Sequence, residues 1–381
     1  MDAGTSHENV ITFLRGYLLA ARQRVTRTLI VATIACALTM ACASAVSTVV
    51  QNDRMISAAE RIALIRRAQV WSPTSVAAAD LLNGPPDAPF THGETITCDY
   101  VDAKFGGHTP KFGCTLDGRH VLKVRFGRDN GEVYAGVAAT RLLWALGFGV
   151  DSLYPVHAVC RDCPNRLASD GISTRDGIEF DVAAVEHKFP GEDVEAHRSL
   201  PGWAWPELSI VDPSAGGAPL AHSDALKLLA VLIQHSDNKA EQQRLVCRSP
   251  AHSSRELAAC DDPFLAIHDL GLTFGRANRL NRSSVSSGNL ALWSNTPIWK
   301  DRARCVANLA RSATGTLSDP VISEAGRKFL ADLLTRLSDR QLRDLFLAAR
   351  LDDKPHGGGP IDAWVTAFKH KREEIASASC P

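Results

Sequence analysis

The rhythm of apolar and polar positions changes several times along this chain, and the changes divide it. Leu29 to Val50 is apolar and uncharged over a length that could span a bilayer. Ser57 to Trp71 repeats apolar residues at helical spacing until "NGPPDAP" breaks it. From Thr95 the texture turns to short strands. In "HVLKVRF", Val121, Lys123 and Arg125 share one face, and Leu122, Val124 and Phe126 share the other. Lys123 therefore lies mid-strand among apolar neighbours. A helix is expected from Asn130 to Gly147, with Val133, Val137 and Trp144 at helical spacing and Glu132 in the first turn. "SLYPVHAVC" and "IEFDVAAVEHKF" read as further strands. After about Pro213 the pattern is mainly helical. Ser223 is expected to cap "DALKLLAVLIQ", "PFLAIHDLG" is a strand, and three helices close the sequence, one opened by a Ser338/Gln341 capping box. A strand-rich half followed by a helical half predicts an α+β fold.

Charge removes one class of function. Lys+Arg and Asp+Glu number 42 each, so nothing implies general affinity for nucleic acid. The apolar run is preceded by Arg15, Arg22, Arg24 and Arg27. Two readings compete: a membrane anchor, or a signal peptide cut after Ala45 in "ASA". Orientation is not set by charge, because Arg54, Arg61, Arg66 and Arg67 follow the run. Eight cysteines lie beyond it, an even number that fits disulfides in an exported domain. Cys160 and Cys163 form a C-x-x-C that fits half of a zinc site or a redox pair. Cys247 and Cys260 bracket a polar insertion and are expected to bond to each other.

Candidate chemistry centres on "HSDNKAEQ", where an apolar helix ends. Transfer of a phosphoryl group from ATP asks for a lysine on the phosphates, a carboxylate orienting it, an aspartate steering the acceptor hydroxyl and another holding a metal. Each has a candidate in chain order. Lys123 in "VLKV" resembles the strand lysine of "VAIK", and Glu132 opens the next helix. "HSDNKAEQ" resembles "HRDLKPEN": His235, Asp237, Lys239 and Glu241 match, and Gln242 stands where the metal-binding Asn belongs. "HDLG" resembles the "DFG" element, giving Asp269, Leu270 and Gly271.

The chain thus resembles protein kinases over roughly residues 95 to 275. Its irregularities are similar to those of the HipA-type, phosphatidylinositol-kinase-like and secretory-pathway kinases. The resemblance implies a two-lobed kinase-like domain after an N-terminal apolar helix. Its divisions would be a basic segment 1–28, an anchor or signal peptide 29–50, a connector 51–94, an N-lobe 95–211 and a helical C-lobe 212–381. It implies ATP and Mg as cofactors, Lys123 and Glu132 on the nucleotide, Asp237 and Lys239 in catalysis, and Asp269 and Gln242 on the metal. Glu132 is the expected partner of Lys123. "VAAVEHKFPG", with Glu186 to Lys188, falls where an adenine-binding hinge would.

The departures are specific. Ser236 replaces the arginine of the kinase motif, no "APE" follows, and Gly106, Gly107 and Gly113 do not make a strict G-x-G-x-x-G. Trp203 and Trp205 either line a groove or pack a loop. The acceptor, whether protein, lipid or small molecule, is not legible. The contrasting reading is a disulfide-stapled, membrane-anchored envelope module that uses the fold without catalysis. Either way, the cysteines and the apolar run point to a membrane-anchored or exported location, in a cell envelope or secretory lumen.

Overall fold

β1 (Glu94–Val101), β2 (Lys111–Thr115) and β3 (Leu122–Phe126) run as an antiparallel meander. These strands belong to a computed structural model that describes residues 56–194, 202–249, 260–275 and 286–381. β4 (Ser152–Arg161) pairs parallel to β1, and β6 (Gly177–His187) pairs antiparallel to both β4 and β3. The β3–β6 ladder closes the sheet on itself, and the short β5 (Ile172–Thr174) hangs on β6. Alternation decides what fills the closed sheet. Val124 and Phe126 point inward beside Phe112, Phe180, Val156 and the sulfurs of Cys98, Cys114 and Cys160. Lys123 and Arg125 must then point the other way, as their alternation anticipates.

Helix α1 (Ala58–Arg67) starts at a Ser57/Glu60 capping box. The described part of the expected connector is packed into the body, because its apolar stripe and backbone both find partners there. Leu64 and Ile65 are buried, and Gln69 exchanges hydrogen bonds with Pro263 and Leu265. Helix α2 (Gly131–Ala145) is capped by Asn130 and is buried nearly all round. Helix α3 (Leu220–Leu232) begins at Pro219 rather than at Ser223. Proline suits a helix start, and Ser223 is buried one turn inside. β7 (Glu192–Asp193), β8 (Gln243–Cys247) and β9 (Pro263–Ile267) form a small antiparallel sheet.

The short α4 (Leu290–Ser294) and the β10 (Trp299–Asp301) and β11 (Val306–Ala307) pair lead to α5 (Glu324–Thr335), α6 (Asp339–Ala348) and α7 (Ile361–Ala376). The expected capping box at Ser338 and Gln341 is present. Phe274, Trp293, Phe346 and Trp364 pack together at the centre of this helical part. The result is a mixed α+β molecule, with the larger sheet in the earlier part and most helices in the later part.

Among the described residues, four disulfides join Cys98 to Cys114, Cys160 to Cys163, Cys247 to Cys260 and Cys305 to Cys380. The bond between Cys247 and Cys260 is the one the sequence pointed to. Cys160 and Cys163 bond to each other, so neither thiolate is offered to zinc. Among the described residues no helix is long and apolar enough to cross a membrane, and the run from Leu29 to Val50 lies outside them.

Candidate active site

β3 puts Lys123 and Arg125 on the face that looks away from the closed sheet. Lys123 reaches Glu186 on β6, its cross-strand partner, at 2.7 Å. Glu132 is therefore not the partner of Lys123. Register is the reason, since Lys123 and Glu186 sit directly opposite each other, while the α2 start lies nearer Arg125.

Arg125 is the centre of the arrangement. Its guanidinium meets Glu132 at 3.3 Å, Glu186 at 3.1 Å and Asp269 at 3.2 Å. It is fully buried, and burial alone would disfavour its charge, but Asp269, Glu186 and Glu132 outweigh that and hold its pKa above the ordinary arginine value. Burial likewise works to raise the Asp269 pKa, yet Arg125, with His268 and Lys123, holds it well below the usual carboxylate range. Glu132 goes the other way. Its carboxyl is pushed up to about 7 by burial and by the adjacent Asp269 charge, against the pull of Arg125.

The loop between α3 and β8 carries the second group. Asp237 accepts from Gln242 Nε2 at 3.0 Å, with the Lys239 ammonium 3.9 Å away and Glu241 3.3 Å beyond. The same Gln242 ties this loop to the other carboxylate. Its main-chain oxygen accepts from the His268 N–H at 2.8 Å and the Asp269 N–H at 3.3 Å. Asn238 fixes the loop from below, its side-chain oxygen accepting from the Thr316 and Leu317 N–H groups at 2.8 and 2.9 Å. His235, fully buried, makes no ring hydrogen bond among the described residues, and burial lowers its pKa to about 4. Trp203 and Trp205 are also buried and pair edge to face at 5.2 Å. They pack the segment after residue 202 onto the body, where the Trp203 ring N–H donates to Ala266 O at 3.1 Å.

Asp237, Lys239, Gln242, Asp269, Glu132 and Lys123 are thus connected in one chain of contacts through Arg125 and Glu186. Arg125, Glu186 and Asp151 are additions. Asp151 is fully buried and accepts from Phe189 N–H at 2.8 Å, faces His268 Nδ1 at 2.8 Å and pairs with Arg244. Asp151, Glu186 and His268 bring ligand atoms within 4.8 Å of one another. Their lone pairs are already engaged by Arg244, Lys123 and Arg125, so a cation there would have to displace buried counter-charges. The donors that suit a hard ion such as Mg²⁺ are the oxygens of Asp269, Asp237 and the Gln242 amide.

No protein-family model matches the chain, and no curated protein matches it. Among solved structures, the crystal structure of a Helicobacter pylori proinflammatory kinase, CtkA, aligns with 12% sequence identity and a TM-score of 0.40. The alignment covers 75% of this chain and 95% of that one.

Proposed function

We propose that this chain is an ATP- and Mg-dependent phosphotransferase acting on a hydroxyl, built on a two-lobed kinase-like fold. The observation that carries the reading is the Arg125 network. One strand cation joins a helix carboxylate, Glu132, to the aspartate after a strand, Asp269, and Gln242 connects that aspartate to the loop of Asp237. Phosphoryl transfer calls for positioning and charge stabilisation more than covalent chemistry.

Roles follow from the geometry. Lys123 is the expected phosphate-holding cation, and Arg125, on the same strand face, would serve as a second. Guanidinium serves phosphate oxygens through a planar fork. Asp269 and Gln242 would hold Mg²⁺, which neutralises phosphate charge when bound. Asp237 would orient the acceptor hydroxyl and take its proton. Lys239, between Asp237 and Glu241, would balance charge as the proton moves. Glu132 and Glu186 hold the cations in place.

The test separates two carboxylates. Asp269→Asn should abolish Mg-nucleotide binding in calorimetry. Asp237→Asn should leave binding within about threefold and cut turnover about 10²–10⁴-fold. Equal loss of binding in both variants contradicts the assignment.

A second reading rests on one observation: Asp269 is already held by Arg125 and by the Gly271 N–H at 3.1 Å. In a non-catalytic, disulfide-stapled module that pair would be permanent. Millimolar Mg-ATP should raise the unfolding midpoint of an enzyme and leave that of the module unchanged.

A further inference from the structure

Lys111 opens β2 beside the ion network without belonging to it. It sits opposite Arg125 in the β2–β3 register, two residues from the Gly113–Lys123 pair. Directly opposite residues share a face, so Lys111, Lys123 and Arg125 stand together on one side of the hairpin. Lys123 and Arg125 are matched by Glu186, Glu132 and Asp269. Lys111 makes no ion pair among the described residues, and its amine donates to the Gly106 carbonyl at 2.5 Å.

The loop from 102 to 110 closes over this amine. Gly107 has φ +83°, and a Cβ there would lie 2.9 Å from Lys111 Nζ. The Thr109 side chain in the same loop acts to lower the Glu132 pKa. Burial pulls the Lys111 pKa down, and the Arg125 and Lys123 charges pull it further, while Asp269 and Glu132 act in the opposite sense. A half-buried ammonium repelled by two neighbours, without its own carboxylate, costs stability unless something else is served. An anion entering between loop and hairpin would give Lys111 the counter-charge it lacks.

We infer that Lys111 is a phosphate ligand: with Arg125 opposite it, it holds the phosphate chain of a nucleoside di- or triphosphate under the 102–110 loop. The inference rests on the phosphotransferase reading and adds that the site discriminates nucleotides by their phosphates. Lys111 contributes charge to binding and is not a prop for the loop.

Calorimetry on the full chain with Mg²⁺ tests this, using adenosine and a non-hydrolysable ATP analogue as separate probes. Lys111→Met should weaken the triphosphate about ten- to hundredfold, the range for losing one charge-assisted contact. Adenosine should bind unchanged, Lys111→Arg should recover most of the loss, and the unfolding midpoint should not fall. If Lys111→Met binds the triphosphate like the parent, the inference fails and the phosphotransferase reading stands. Equal weakening of both probes with a lower midpoint makes Lys111 a loop prop and overturns the inference. If the parent chain binds neither probe, the phosphotransferase reading itself falls. Lys111→Gln, closer in length, repeats the comparison should the Met variant fold poorly.

Discussion

Arg125 serves Glu132, Glu186 and Asp269 at once, and Glu186 is shared with Lys123. Removing its charge would strand buried carboxylates, whereas removing Lys123 leaves Glu186 with Arg125. Arg125→Met should therefore cost about 3–5 kcal/mol and Lys123→Met clearly less. Urea unfolding at pH 7 measures both, and equal costs would contradict the picture. The sequence showed Lys123 and Arg125 on one face, and the resemblance to "VAIK" singled out Lys123 while Arg125 is the centre of the ion network. The choice depends on which strand lies opposite, and a ladder joining residue 123 to residue 186 is not written locally. The link between Asp237 and Gln242 is local, five positions along one loop, and needs no knowledge of strand pairing. His235 supplies a pH test. The fold holds it neutral with its pKa near 4, while the unfolded chain takes up a proton near the ordinary 6.5. Its share of stability is complete above pH 6.5 and is lost as the pH falls towards 4, on the order of 3 kcal/mol. His235→Leu should flatten the stability curve between those values. Parallel curves for parent and variant would rule this out.

At the scale of elements, the helices announced themselves and the supports of the active loop did not. Asn130 and Ser338 cap where their sequence context says they should. Ser223 misled, because a serine before an apolar run is a good cap only when the helix starts there; Pro219 starts it earlier. The loop of Asp237 is held by backbone approaches that no periodicity reveals. Gly202 has φ +59°, and a Cβ on it would lie 1.9 Å from Gln243 O and 2.4 Å from Ala240 O. Gly202→Ala should cost at least about 3 kcal/mol and lower turnover beyond what the lost stability explains, since the clash falls on the residues flanking Gln242. Thermal unfolding together with activity of the remaining folded fraction checks it; a variant as stable as the parent would show that the approach is looser than drawn.

For the whole molecule, four disulfides suggest an oxidising, extracellular or exported setting. Their contributions differ with the length of chain each closes. The loops are 13 residues for Cys247–Cys260 and 75 for Cys305–Cys380, giving about 3 and about 4 kcal/mol by chain entropy. Reductant should lower the unfolding midpoint by many degrees. Peptide mapping of protein from its native compartment without reductant should recover Cys247 and Cys260 in one cross-linked species; free alkylation of both would remove the exported placement's main support.

The Cys305–Cys380 bond encloses α5, α6 and α7 in one covalent ring. Tension applied beyond Cys380 passes through sulfur to Cys305 and never reaches those helices along the chain. Pulled by its two ends in a single-molecule trap, the oxidised protein should withhold the contour of that ring. On reduction the trace should lengthen as all four bonds open, and the share of this ring should be roughly 250 Å, the span of its 75 residues at about 3.4 Å each. The three helices are thus mechanically shielded: a load that unravels the rest of the chain leaves them slack.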